Sequence, residues 1–251
     1  EAISQAESYS KKDWAYIAAP TNRRPYGFDW EEWGHLNARS SLDDAQTAFN
    51  IDPTRVYLTG HSMGGHGTWH VGVMNPTRFA AIAPSAGWNS FYTYGGSQKP
   101  SWPFDRARAH SDTTHFLTNL ARRGVYILHG TADDNVPISE GRAMHEAILE
   151  VTSDVGYHEE PGAGHWWDGE VAAGADCVDW PPIFEFFEAH TLDPFELEFD
   201  FLSPGPWYSA QHSYVQIRSA ESARFDSRVT STLEDGVLKL ETENVRSLEL
   251  N

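Results

Sequence analysis

Short apolar runs alternate with longer stretches of helical periodicity from the N-terminus to position 190, and this succession predicts the elements. Residues 1–12 read as the end of a helix. Residues 14–20, Trp-Ala-Tyr-Ile-Ala-Ala-Pro, read as a buried-type strand. Residues 31–49 read as a helix, with Trp30, Trp33, Leu36, Ala45, Ala48 and Phe49 pointing inward. A strand at 55–59 then leads into a helix ending near Asn75, and 79–84 is the next strand. Further strand patterns open at Val125 and Val155, and 183–190 is helix-like. Strands alternating with helices imply an α/β fold, a mostly parallel sheet with helices on both faces. Ligands on such sheets bind beyond the carboxyl ends of the strands.

Beyond Pro194 the period changes to two. Residues 196–202, 214–218 and 233–240 alternate as half-buried strands do, and Asp235-Gly236 is a type I′ hairpin signal. The chain is therefore expected to divide into an α/β body, 1–193, and a small all-β accessory segment, 194–251. That segment either packs on the body or binds carbohydrate. Between 87 and 120 the periodicity fades, and Trp88, Phe91, Tyr92, Tyr94, Trp102 and Phe104 are interleaved with glycines and prolines. This stretch reads as a lid-like insertion whose aromatics meet substrate. The competing reading is a loop that fills its own small core.

Candidate chemistry centres on Gly60-His61-Ser62-Met63-Gly64-Gly65, set between a strand and a helix. In that context G-x-S-x-G is a nucleophile elbow: a strained turn that exposes the Ser62 hydroxyl. Glycines at 60 and 64 keep side chains out of the turn. The N–H of Met63, at a helix N-terminus, is placed to stabilise a developing oxyanion. A serine hydroxyl needs a base and an orienting acid. Both follow downstream. His129-Gly130-Thr131-Ala132-Asp133-Asp134-Asn135 ends one strand with acids, and Gly162-Ala163-Gly164-His165 carries a histidine in a Gly-rich loop. The order Ser, Asp, His suits this fold.

These three motifs together resemble the catalytic domain of the prolyl oligopeptidase family of α/β-hydrolases, and the resemblance covers residues 13–190. It implies Ser62 as nucleophile, Asp133 as orienting acid and His165 as general base. Asp134 is the alternative acid. Esterases of the feruloyl and acetyl-xylan type share the motifs, so a serine peptidase is the leading expectation and a carboxylesterase the second. A hydrolase-like binding module without activity is the third. The family places a second oxyanion donor in a loop after an earlier strand; no such loop is found here. The chain therefore reads as opening just past it, N-terminally truncated.

Other residues have quieter readings. His129 is a local hydrogen-bond partner, His158 lies within a strand, and His61 packs or lines the pocket. His66 and His70 have helical metal-ligand spacing but lack the intervening glutamate of a zinc hydrolase, so they read as core histidines. No metal or cofactor is expected. Trp88, Trp166 and Trp167 are candidates to line the substrate site.

The formal net charge of −18, with 4 lysines against 14 arginines, argues against nucleic acid or an anionic membrane as partner. The expected partner is a small peptide or ester substrate. Cys177 is the only cysteine, so no internal disulfide forms. No charged-then-apolar leader opens the chain, so a signal peptide is either absent or already removed. A secreted or periplasmic setting is the expectation.

Overall fold

The computed structural model describes residues 2–21, 28–169 and 173–251. Strands β1 (Tyr57–His61), β2 (Ala81–Ser85), β3 (Gly124–Gly130) and β4 (Val155–Glu160) form a parallel sheet in that order. Their apolar runs are continuous because the sheet is covered on both sides. Ile82, Val125 and Ile127 face one cluster, shared with helix α3 (Met63–Met74), helix α5 (Ile138–Leu149) and a 3-10 segment, Thr113–Leu120. Ala81, Ala83 and Leu128 face the other, with Ile183 and Phe187 of helix α6 (Pro181–Ala189). The short helices α1 (Ala2–Glu7) and α4 (Phe104–Ala107) lie outside both clusters.

Two expectations fail at the N-terminal side. Residues 14–20 form no strand, and Trp14, Tyr16 and Ile17 are 40%, 67% and 40% exposed. The rings are used on the surface instead: Trp14 meets Tyr57 edge-on at 6.1 Å, and Tyr16 stacks on Phe49 at 4.7 Å. Helix α2 (Trp33–Ala48) is present but rotated from its expected phase. Trp30 packs on the core and Ala45 is half-buried, whereas Trp33, Leu36, Ala48 and Phe49 are exposed. The inward stripe is His35, Ala38 and Leu42. A buried histidine heads it, edge-on to His70 at 5.6 Å, and a histidine counts as polar in a periodicity reading.

Within 87–120, Phe116, Leu117 and Leu120 join the main core. Earlier residues of this stretch are tied to α5: the Asn89 N–H and the Thr93 hydroxyl both donate to Glu140 Oε2.

The C-terminal strands make two antiparallel three-stranded sheets. One is ordered β5 (Phe199–Ser203), β8 (Ser227–Glu234), β9 (Val237–Glu243). The other is ordered β10 (Val245–Leu250), β7 (Val215–Ala220), β6 (Gln211–His212). Phe199, Phe201, Val215, Ile217 and Val229 form their shared core. The β8–β9 turn has positive φ at both central residues, 51° at Asp235 and 78° at Gly236, as a type I′ turn requires. Asn119 joins these strands to the body. Its amide nitrogen donates to the carbonyls of Val73 and Leu202, and its oxygen accepts from the Leu202 N–H, each at 2.8 Å.

Candidate active site

The chain leaves β1 and enters α3 through Ser62, whose φ of 59° and ψ of −117° are strained for a residue with a side chain. The turn is locked on both sides: the Ser62 N–H donates to the Ser85 carbonyl at 2.9 Å, and the His66 N–H donates to the Ser62 carbonyl at 3.0 Å. Of the two expected glycines, Gly60 carries the steric demand. A Cβ there would sit 2.4 Å from the Gly64 carbonyl oxygen, whereas one on Gly64 would meet nothing. Met63 is the first helical residue, and N–H groups of a first turn have no acceptor within their own helix.

The acid comes from the turn after β3. Asp133 Oδ1 accepts the N–H groups of Asn135 and Val136, both at 2.9 Å, which fixes the carboxylate. Its Oδ2 lies 2.8 Å from His165 Nδ1, and the Asp133 side chain is fully buried. Asp134 is exposed. The histidine comes from the loop after β4, which is laced to the acid turn. The Thr131 N–H donates to the Glu160 carbonyl, the Ala132 N–H to the Ala163 carbonyl and the Gly162 N–H to the Thr131 hydroxyl. His165 Nε2 then stands 2.8 Å from Ser62 Oγ. Ser62, His165 and Asp133 thus form one continuous chain of hydrogen bonds.

Two more histidines flank this chain, both driven toward the neutral form. Burial lowers His129, whose Nε2 lies 3.0 Å from the Val136 carbonyl and 3.3 Å from Asp133 Oδ2. Burial, helped by His165, pulls His61 down to about 4. The Ser85 hydroxyl donates to the Cys177 carbonyl, so the His61 Nδ1–H donates to Ser85 at 3.0 Å. His61 Nε2 is left buried and unpartnered. The His61 ring touches both His165, at 4.9 Å, and Trp166, edge-on at 5.3 Å. Ser85, a lone serine at a strand end, gave no signal of this role in the sequence.

The three candidate tryptophans are placed differently. Trp166 is 52% exposed at the rim beside His61. Trp167 is half-buried and meets Trp180 edge-on at 5.6 Å, against the α6 cluster. Trp88 is buried between His66 and Tyr94, stacked at 5.0 Å and 4.5 Å. Tyr94, one of the aromatics of the 87–120 stretch, donates to Asn135 at 3.1 Å and so reaches the acid turn. His66 and His70 both have hydrogen-bond partners: His66 Nδ1 meets the Trp88 carbonyl within the body, and His70 Nε2 meets the Tyr208 hydroxyl of the C-terminal segment at 2.7 Å. Among the described residues, no group of three or more His, Cys, Asp and Glu side chains has metal-binding geometry.

Residues 24–180 match the sequence profile of the prolyl oligopeptidase family. The chain belongs to the prolyl oligopeptidase family. Its fold is that of an α/β-hydrolase, with extra antiparallel strands at the C-terminal end. An uncharacterized secreted protein of Arthroderma benhamiae is 27% identical over 94% of this chain and 27% of its own length. An S-formylglutathione hydrolase of Paracoccus denitrificans is 24% identical over 72% of this chain and 66% of its own length. The chain therefore spans about a quarter of the fungal relative and just under two thirds of the bacterial one. Among solved structures, a candidate dipeptidyl aminopeptidase IV of Bacteroides ovatus shares the fold, with a TM-score of 0.50 at 17% identity. That match covers 63% of this chain and 22% of the other. No helix among the described residues is long and apolar enough to cross a membrane.

Proposed function

We propose that this member of the prolyl oligopeptidase family is a serine hydrolase that forms an acyl-enzyme on Ser62 and prefers carboxylic esters or thioesters. The observation that carries the reading is the unbroken relay from Ser62 Oγ through His165 to the buried Asp133 carboxylate. In this mechanism His165 Nε2 takes the Ser62 proton as Oγ attacks the carbonyl carbon. Asp133, anchored by two backbone N–H groups, holds the Nδ1–H tautomer and stabilises the imidazolium. The oxyanion forms beside the Met63 N–H at the head of α3. His165 next protonates the leaving alcohol or thiol, then activates water to release the acid.

The ester preference draws on the likeness to an S-formylglutathione hydrolase. A second reading, hydrolysis of peptide amides, draws on the family match. The same relay serves both, and an amide demands more from it, because an unprotonated amine is a far poorer leaving group than an alkoxide or thiolate. The likeness to a secreted fungal protein supports a secreted setting.

The test compares 4-nitrophenyl acetate with a proline-containing peptide 4-nitroanilide on the purified chain. Turnover of the ester alone supports the first reading, and faster release from the anilide replaces it with the second. Ser62→Ala lowers either rate on the order of a million-fold. Retention of more than about a tenth of the rate defeats the assignment of Ser62.

A further inference from the structure

At the opposite end of the sheet from Ser62, a cavity of ≈ 480 Å³ opens between the body and the C-terminal strands. That size lies within the range of small-ligand sites, roughly 300–1,000 Å³. Its walls combine Arg39 from α2, Asn75 just past α3, Asp193, and Gln211 and Gln216 from the C-terminal strands. Trp207 forms one wall and is 63% exposed. A second, shallow hollow of ≈ 390 Å³ is also lined by Trp207, together with Arg218 and Ser219. One exposed aromatic ring therefore borders both hollows.

The ring is held rather than loose. Gly205 has a φ of 152°, and a Cβ there would meet the six-membered ring of Trp207 at 2.4 Å, so the indole lies directly on bare backbone. The following residues close a tight turn: the N–H groups of Tyr208 and Ser209 donate to the Gly205 carbonyl at 3.0 and 3.1 Å. That turn is fastened to the body. The Tyr208 hydroxyl meets His70 Nε2 at 2.7 Å, and the Ser209 hydroxyl donates to the Met74 carbonyl at 2.6 Å. A large apolar ring fixed this firmly, yet left open to water, is preorganised for a flat apolar ligand face.

We propose that the two hollows flanking Trp207 bind a neutral, β-linked pyranose oligosaccharide. Such a chain presents C–H faces that stack on an indole, while its equatorial hydroxyls both donate and accept. The amides of Gln211 and Gln216 do the same, while the Asn75 nitrogen is taken by the Val71 carbonyl and only its oxygen is left as an acceptor. Arg39, Arg78 and Asp193 line the first hollow; Arg78 is already paired with Asp43 and Arg218 with Glu249, which leaves Arg39 with the opposite charge of Asp193 and favours an uncharged ligand over an acidic one. The cavity lies apart from Ser62, so the proposal stands or falls independently of the hydrolase chemistry.

The test uses the 1–251 chain with three probes: xylohexaose, cellohexaose and a galacturonic acid hexamer, titrated by calorimetry. Binding of at least one neutral probe is expected. Trp207→Ala weakens it by about tenfold or more, and Trp207→Phe, which keeps a ring, by only about threefold. Ser62→Ala leaves it unchanged. Gln216→Ala weakens it by about threefold and serves as the second variant if Trp207→Ala melts early. No binding of either neutral probe, binding of the acidic hexamer alone, or affinity indifferent to both Trp207→Ala and Gln216→Ala overturns the proposal.

Discussion

The hydroxyl of Ser62 lies 2.8 Å from Nε2 of His165, although 103 positions separate them in the chain. The parallel sheet, ordered β1-β2-β3-β4, brings its loops to one end. Ser62 follows β1, Asp133 follows β3 and His165 follows β4, so all three stand at one end of the sheet.

The acid next to His165 is the buried one of an adjacent pair, which makes the pair separable. Asp133→Asn is expected to lower kcat by about 10⁴-fold, because the amide favours the wrong imidazole tautomer. Asp134→Asn, at an exposed position, is expected to change kcat by less than about twofold. Steady-state kinetics on an ester substrate checks both, and equal losses would reassign the orienting role.

Acid is expected to destabilise the fold before most carboxylates protonate. Burial holds His35 at about 3, His61 at about 4 and His212 at about 3, and pushes His70 well below its usual value. In the unfolded chain these groups protonate near 6.5. Between pH 6.5 and 4 the unfolded state therefore binds more protons, so stability is present above 6.5 and is lost as pH falls toward 4. Each such proton contributes a slope of about 1.4 kcal/mol per pH unit. Urea midpoints measured across this window should drop steeply, and a flat profile would contradict neutral burial.

Gly60→Ala is expected to destabilise the chain by about 1–3 kcal/mol, since the new methyl collides with the Gly64 backbone and nothing flexible can move aside. Gly64→Ala meets open space and is expected to be far milder. Thermal melts of the two variants order them, and the reverse order would refute the elbow geometry.

Asn119→Ala strips three hydrogen bonds at once, leaving the Val73 and Leu202 carbonyls and the Leu202 N–H to find other partners. A cost of about 3 kcal/mol is expected, with β5 loosened first. Hydrogen exchange at Leu202 reports this directly; unchanged protection there would show that β5 is held by other contacts.

Much of this arrangement was readable because local rules and tertiary needs agree. Strands buried on both faces leave continuous apolar runs, as at Val125 to Leu128, and Asp235-Gly236 announces its hairpin by backbone chemistry alone. The elbow motif located the tight turn from β1 into α3 at Ser62. Illegible features were those decided by distant partners. Residues 14–20 have strand composition but form no ladder. The phase of α2 turned on His35, whose burial depends on His70 and Tyr208. Ser85 joins the site only because β2 ends beside His61. Asn119 and the turn holding Trp207 are likewise products of long-range contact.

The sheet sets the spacing of Ser62, Asp133 and His165, while Trp166 and the stretch around Tyr94 sit in loops that no strand constrains. Mutational drift in those loops can remodel the rim without disturbing the register below. Closely related sequences should thus diverge in what they admit well before they diverge in how they react.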